Sequence, residues 1–147
     1  HLKEVRIKEK TLRDAIERQA SKEYTYEQLH IKRKINHKQN ELRARLFELV
    51  EKELMSFRET KEYRELLMKE IKEAMNIAKE SELLVYVGPK DEGIIQDAYK
   101  QYGIKLMINE NIAKGGMRAE IPSKNILIDN TFETKISEAK EKFIITL

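Results

Sequence analysis

Residues 1–58 hold no glycine and no proline; the first of each are Gly88 and Pro89. Glycine costs a helix interior about 1 kcal/mol and proline about 3 kcal/mol, so nothing interrupts a long helix here. The apolar positions recur at a fixed step. Tyr24, Ile35, Leu46 and Phe57 stand 11 residues apart, and Ala20, Ile31 and Leu42 form a second row displaced by four. Val5 and Ile16 take the same step earlier, Leu49 lies three steps beyond Ile16, and Leu12 completes the candidate seam. Such a repeat gives about 3.67 residues per turn and predicts a nearly straight or right-handed supercoil. Glu27, Lys38 and Glu53 interrupt the seam, and charged residues fill its flanks. At about 1.5 Å per residue the stretch would span roughly 85 Å, too long to be wrapped inside its own chain. A lone helix of this kind leaves an apolar stripe in water, so a partner helix is expected. The competing reading, a hairpin folded back on itself, finds no turn signal before about residue 58.

Beyond the arm the period changes. Thr60 is placed to cap a new helix with Glu62 in its first turn. Tyr63, Leu66, Leu67, Ile71, Ala74, Met75 and Ala78 then recur at helical spacing as far as Ser81. Whether the arm bends at Thr60 or runs on is open at this level. Residues 83–87 form a short apolar run rich in β-formers, stopped by Gly88-Pro89, and predict a buried strand. Asp91 is expected to start a helix with Ile94, Ile95, Ala98 and Tyr102 on its inner face and Gly103 as its cap. Residues 104–109 alternate, placing Ile104, Leu106 and Ile108 on one face of a strand. Lys114-Gly115-Gly116 turns the chain into a strand over 117–121, and Pro122–Asn125 turns it into another over 126–129. A final helix follows, with Phe132, Ile136, Ala139, Phe143 and Ile144 on one side.

The fold class is therefore α+β: a long N-terminal coiled-coil helix, then a C-terminal head with a four-stranded, largely antiparallel sheet and flanking helices. Three strands in close succession are expected to pair as antiparallel neighbours. The predicted division is a stalk helix over 1–59 and a head over 60–147. The chain opens on His1 rather than Met, so the stalk is read as a truncated one.

Composition narrows the function classes. Charged residues make up 37% of the 147 and hydrophobic ones 40%, with no cysteine. That balance suits a coiled coil with a small head, and it excludes disulfides and thiolate metal sites. No apolar run approaches a membrane span, and no signal peptide is expected. The net charge of +3 divides unevenly: residues 1–58 hold 15 Lys and Arg against 10 Asp and Glu, and the rest 14 against 16. The densest basic run, 31–38, includes seam residues Ile31 and Ile35, so its cations read as solvated flanks. Without interleaved aromatics for base stacking, nucleic-acid binding is not expected.

Candidate chemistry is sparse. Gly88 and Gly93 have the spacing of a phosphate-binding loop between strand and helix, but Ile94 and Ile95 stand where that loop needs Lys and Ser or Thr. His30 and His37 lie two helical turns apart, too far to share a metal ion. No catalytic residue, cofactor site or metal site is expected. The distinctive polar cluster is Asp129-Asn130-Thr131-Phe132-Glu133. Its expected role is to cap the last helix, Asp129 or Asn130 accepting from free N–H groups and Glu133 returning a bond as in a capping box.

Gly115-Gly116, the strand after it, and the Asp129-Asn130-Thr131-Phe132 segment opening a terminal helix resemble the E subunit of the rotary V-type and archaeal A-type ATPases. The resemblance is specific from residue 83 onward and compositional before that. That family carries Arg soon after the motif, where this chain has Lys135, which lacks the planar fork of Arg. The resemblance implies a non-catalytic stator in the peripheral stalk. The arm would pair with the G subunit (called H in some archaeal enzymes), and the head would anchor to the N-terminal region of the B subunit of the catalytic hexamer. The chain would lie on the cytoplasmic side, reaching the membrane only through the complex. The stator protein of flagellar and type III export ATPases, and a coiled-coil nucleic-acid-binding domain, are the alternatives.

Overall fold

The computed structural model describes residues 1–145; Thr146 and Leu147, which the head reading over 60–147 includes, lie outside the described residues. The first helix, α1, runs Leu2–Phe57 without a break. The described chain divides into two compact units within this helix: His1–Ala44, with Ile145, and Arg45–Ile144. In the first unit every residue from 1 to 38 is exposed.

In the second unit α1 ends after Phe57, and Thr60 caps the next helix, α2 (Lys61–Ala78), by accepting from the Tyr63 N–H at 3.3 Å. Then follow β1 (Leu84–Val87), α3 (Ile94–Tyr102), β2 (Leu106–Ile108), β3 (Met117–Ile121), β4 (Ile126–Asp129) and α4 (Phe132–Lys142). The strand order across the sheet is β2-β1-β3-β4. The core lies between one face of the sheet and α2: Leu67 and Ile71 of α2 are buried with Val85, Val87, Met117 and Ala119. The strict alternation of β3 follows from the two-residue period of a strand with one face covered. From α3, Ile94 and Ala98 close the same core.

The α+β class and the four strands stand as expected, but the pairing of β2 does not. It lies parallel to β1, with Val85 opposite Leu106, and β1 separates it from β3. The reason is the intervening helix. A strand–helix–strand crossover returns the chain in the same direction, whereas a tight turn reverses it. The chain then passes over the end of β1. The Asn109 N–H donates to the Val87 carbonyl at 2.9 Å, and Ile112 is fully buried. The pairs β1–β3 and β3–β4 are antiparallel.

Four smaller expectations are also corrected. Pro89–Asp91 form a short 3-10 turn and α3 begins only at Ile94, so Asp91 does not start it. Ile104 precedes β2, and Ile108 is 42% exposed at the sheet's edge. On α4 the inner face ends at Ile136: Ala139 and Ile144 are exposed. Phe143, just past the helix, packs edge-on against the buried Phe47 of α1 at 6.0 Å.

Candidate functional site at the root of the long helix

The residues singled out in sequence fall at two places. Seam residues Val5, Leu12, Ile16, Ala20, Tyr24, Ile31 and Ile35 lie exposed on the first unit. Leu42 and Leu46 are half-buried, and Leu49 is 59% exposed. Phe57 departs from the seam. Its ring lies 5.7 Å from that of Tyr63 and 6.5 Å from that of Phe132, and Tyr63 and Phe132 are themselves 5.6 Å apart. Because α1 stops immediately after Phe57, this last residue of the row meets the head's own aromatic pair. Edge-to-face contacts of this kind add about 1 kcal/mol beyond burial.

Polar bonds extend that aromatic cluster. Tyr63 Oη donates to Asp91 Oδ2 at 2.6 Å and accepts from the Gly116 N–H at 2.9 Å. Arg58 pairs with the other oxygen of Asp91 at 3.5 Å, and its Nη1 donates to the Ala113 carbonyl at 3.2 Å. Both members of that ion pair are about nine-tenths buried. Burial first, and the bond to Asp91 second, push the Tyr63 hydroxyl well above the ordinary tyrosine range. It therefore stays protonated as a donor at any physiological pH.

The paired glycines make this approach possible. Gly115 and Gly116 have φ of 118° and 88°, where a side chain is strained. A Cβ on Gly115 would sit 3.0 Å from both the Arg58 side chain and the Tyr63 hydroxyl. On Gly116 it would fall 2.4 Å from the Asn130 carbonyl oxygen, which is backbone and cannot yield. Gly88 is likewise a matter of space: its Cβ would overlap the Ile112 carbonyl at 1.9 Å. At its Gly88 end, the loop that resembled a phosphate cradle is thus filled by the chain itself.

The polar motif lies beside the glycines, and its capping differs from expectation. Thr131, not Asp129 or Asn130, caps α4, accepting from the Thr134 N–H at 3.4 Å. Asp129 stands one step back. Its Oδ1 accepts from the Thr131 N–H at 3.0 Å and hydroxyl at 2.6 Å, and its Oδ2 from the Thr134 hydroxyl at 2.8 Å. Burial alone would raise its pKa, but these bonds, the Thr131 hydroxyl foremost, hold it below the ordinary value. Asn130 donates its backbone N–H to the Met117 carbonyl. Glu133 makes no capping box; it accepts from the Lys114 N–H, so it braces the glycine turn instead. Asp129 is still the last residue of β4 and α4 begins at Phe132, so Thr131, extended and immediately before the first helical residue, is the one placed to cap.

Sequence reasoning did not find Arg58, the Tyr63 hydroxyl, Asp91 or Glu70. Asp91 is brought to Arg58 and Tyr63 from a distant part of the chain, and no local pattern announces that meeting. Glu70 stands on the buried face of α2, 7% exposed, with one oxygen 3.6 Å from Lys135 of α4 and the other without a hydrogen bond. Its burial raises its pKa against the opposing pull of Lys135. Here an i, i+4 hydrophobic count would have flagged a charged residue between Leu67 and Ile71.

Among the described residues no group of three or more His, Cys, Asp or Glu side chains is arranged to hold a metal ion. The polar atoms of this site face one another, so what it does is hold chain segments together: the end of α1, the start of α2, the turn after β1, the glycine turn and the start of α4. No helix of the described residues is long and apolar enough to cross a membrane.

The fold is thus a long helix with an exposed apolar row whose last turns are bonded into an α+β head. Residues 2–145 match the family described as ATP synthase (E/31 kDa) subunit, and the chain belongs to that family. It is similar to the E subunit of the A-type ATP synthase of Pyrobaculum islandicum, with 25% identity over 114 residues, covering 78% of this chain and 60% of that protein. It is also similar to an A-type ATP synthase E subunit of Methanospirillum hungatei JF-1, the one numbered 3, with 28% identity over 122 residues, covering 80% of this chain and 61% of that one. The chain thus spans about three fifths of the length of these curated relatives.

Proposed function

We propose that the chain serves as a stator in the peripheral stalk of a V/A-type rotary ATPase, opposing rotation of the catalytic head during ATP-coupled ion transport. It catalyses nothing and binds no nucleotide in this reading. Residues 1–59 act as the stalk helix. Val5, Leu12, Ile16, Ala20, Tyr24, Ile31, Ile35, Leu42, Leu46 and Leu49 form its seam with the G or H subunit. The head, 60–147 with the last turns of α1, anchors to the N-terminal region of the hexamer's B subunit. The chain works on the cytoplasmic side and reaches the membrane only through the complex.

One observation carries the pairing. Ile16, Tyr24 and Ile31, on an unbroken 56-residue helix, are 60%, 65% and 49% exposed. Covering such a row releases about 25 cal/mol for each Å² of apolar surface removed from water. Summed along a helix this long, that is the driving force for pairing with a second helix. The family, and the naming of both relatives as ATP synthase subunits, support the setting.

The test is light scattering and circular dichroism on this chain, alone and mixed with a G-like stalk protein. A one-to-one complex more helical than its separate parts is expected. A monomer indifferent to that partner would overturn the pairing. In the assembled enzyme, loss of the seam should leave ATP hydrolysis intact while ion movement falls. If both fall together, the stator role is wrong.

A further inference from the structure

We propose that the groove between α2 and α3 is a docking site for an acidic amphipathic helix of a partner protein. The proposal does not depend on the arm's pairing, since every residue involved belongs to the head.

The groove has a volume of about 790 Å³ and runs along α2 from Lys61 to Glu73, with α3 as its opposite wall. That stretch of helix is about 18 Å long, room for three turns of a second helix alongside it. Met68 and Tyr102 line it and are only half-buried, packed against the core on their inner sides. They offer an apolar floor to anchors spaced at i, i+3 and i+7 on an incoming helix.

The charge lining the groove sets the partner's sign. It carries five cations and three carboxylates. The head unit as a whole, residues 45–144, holds 17 Lys and Arg against 19 Asp and Glu. A net positive groove is therefore cut into a net negative body. Lys61, Arg64 and Lys69 are engaged by Glu65, Asp97 and Glu73. Lys72 and Lys100 have no carboxylate partner among the described residues. Lys72 Nζ is held 5.3 Å from the centre of the Tyr102 ring, directly beside the apolar floor. Two unneutralised ammonium groups flanking an apolar strip fit a helix with apolar anchors and carboxylates at its margins. Polyphosphates and anionic membranes fit less well, because Glu65, Glu73 and Asp97 interrupt the cations.

The experiment uses the full chain, isotopically labelled, and two helical peptides of about 18 residues with the same Leu-bearing face. One has Glu at its margins and the other Lys. The acidic peptide is expected to shift the resonances of Met68, Lys72, Lys100 and Tyr102, and to weaken as salt rises. In a chain carrying Lys72→Glu and Lys100→Glu, its affinity should fall at least about tenfold and the Lys peptide should bind instead. Both positions are exposed, so an unchanged melting temperature shows the fold is kept. The proposal is overturned by absent shifts, by shifts elsewhere on the head, or by affinity that charge reversal leaves unaltered. Anionic vesicles or single-stranded DNA displacing the acidic peptide from these residues would overturn it equally.

Discussion

The Tyr63 hydroxyl sits between one acceptor, Asp91, and one donor, Gly116, in a largely buried site. Tyr63→Phe keeps the ring contacts but leaves the Gly116 N–H and Asp91 Oδ2 without their partner, Arg58 still holding Oδ1, so it should cost about 2 kcal/mol in urea unfolding. Gly116→Ala should cost about 3 kcal/mol, since strain at positive φ is joined by a clash with backbone. Gly103→Ala also has positive φ but open space around its Cβ, and should cost only about 1 kcal/mol. Equal losses at the two glycines would refute the account of Gly116. Glu70 and Asp129 should impose opposite pH slopes. Asp129, held low, contributes stability that is present above its ordinary value and lost as pH falls through the folded value. Asp129→Asn should flatten acid unfolding. Glu70, held high, contributes stability that is present below its ordinary value of 4.5 and lost as pH rises through the raised one. Glu70→Gln should therefore stabilise at pH 7, with the gain vanishing at pH below 4.5. Lys135 reaches only one Glu70 oxygen; Lys135→Arg offers a fork to both and should add up to about 1 kcal/mol at low salt.

At the scale of elements, the last turns of α1 belong with the head. Phe47 is buried against Phe143, Leu54 and Phe57 pack on the core, and Arg58 closes the buried pair with Asp91. A chain begun at Arg45 should melt cooperatively. One begun at Thr60 loses these contacts and should melt far lower or without a sharp transition, as circular dichroism would read. A shared melting point would mean that α1 contributes nothing to the head. The helices were legible because each carries its own signal: unbroken propensity in α1, a Thr cap on α2, helical spacing throughout. The place of β2 was not legible, since strand neighbours are chosen by the crossover through α3 and by the passage of 109–116 over β1.

For the whole molecule, the seam as far as Ile35 is the stretch with no use inside the chain, every residue of it being exposed. Ile16→Asp with Ile31→Asp removes exposed apolar area only, so the melting temperature of the isolated chain should not move. The same pair of changes should abolish the complex with a G-like stalk protein in light scattering. A complex that survives unchanged would mean that the row at this step is not the interface.

What the sequence determined by itself was whatever depends on near neighbours: the long helix, the recurring row along it and the α+β order of elements. Those are set by propensity and periodicity over a few residues. Tertiary structure alone decided why the glycines must be glycine, that Phe57 turns inward, and that Thr131 takes the cap while Asp129 supports it. It also decided that Arg58, Tyr63 and Asp91 meet. Such outcomes depend on which distant segments share one small volume, and no local pattern in the chain encodes that.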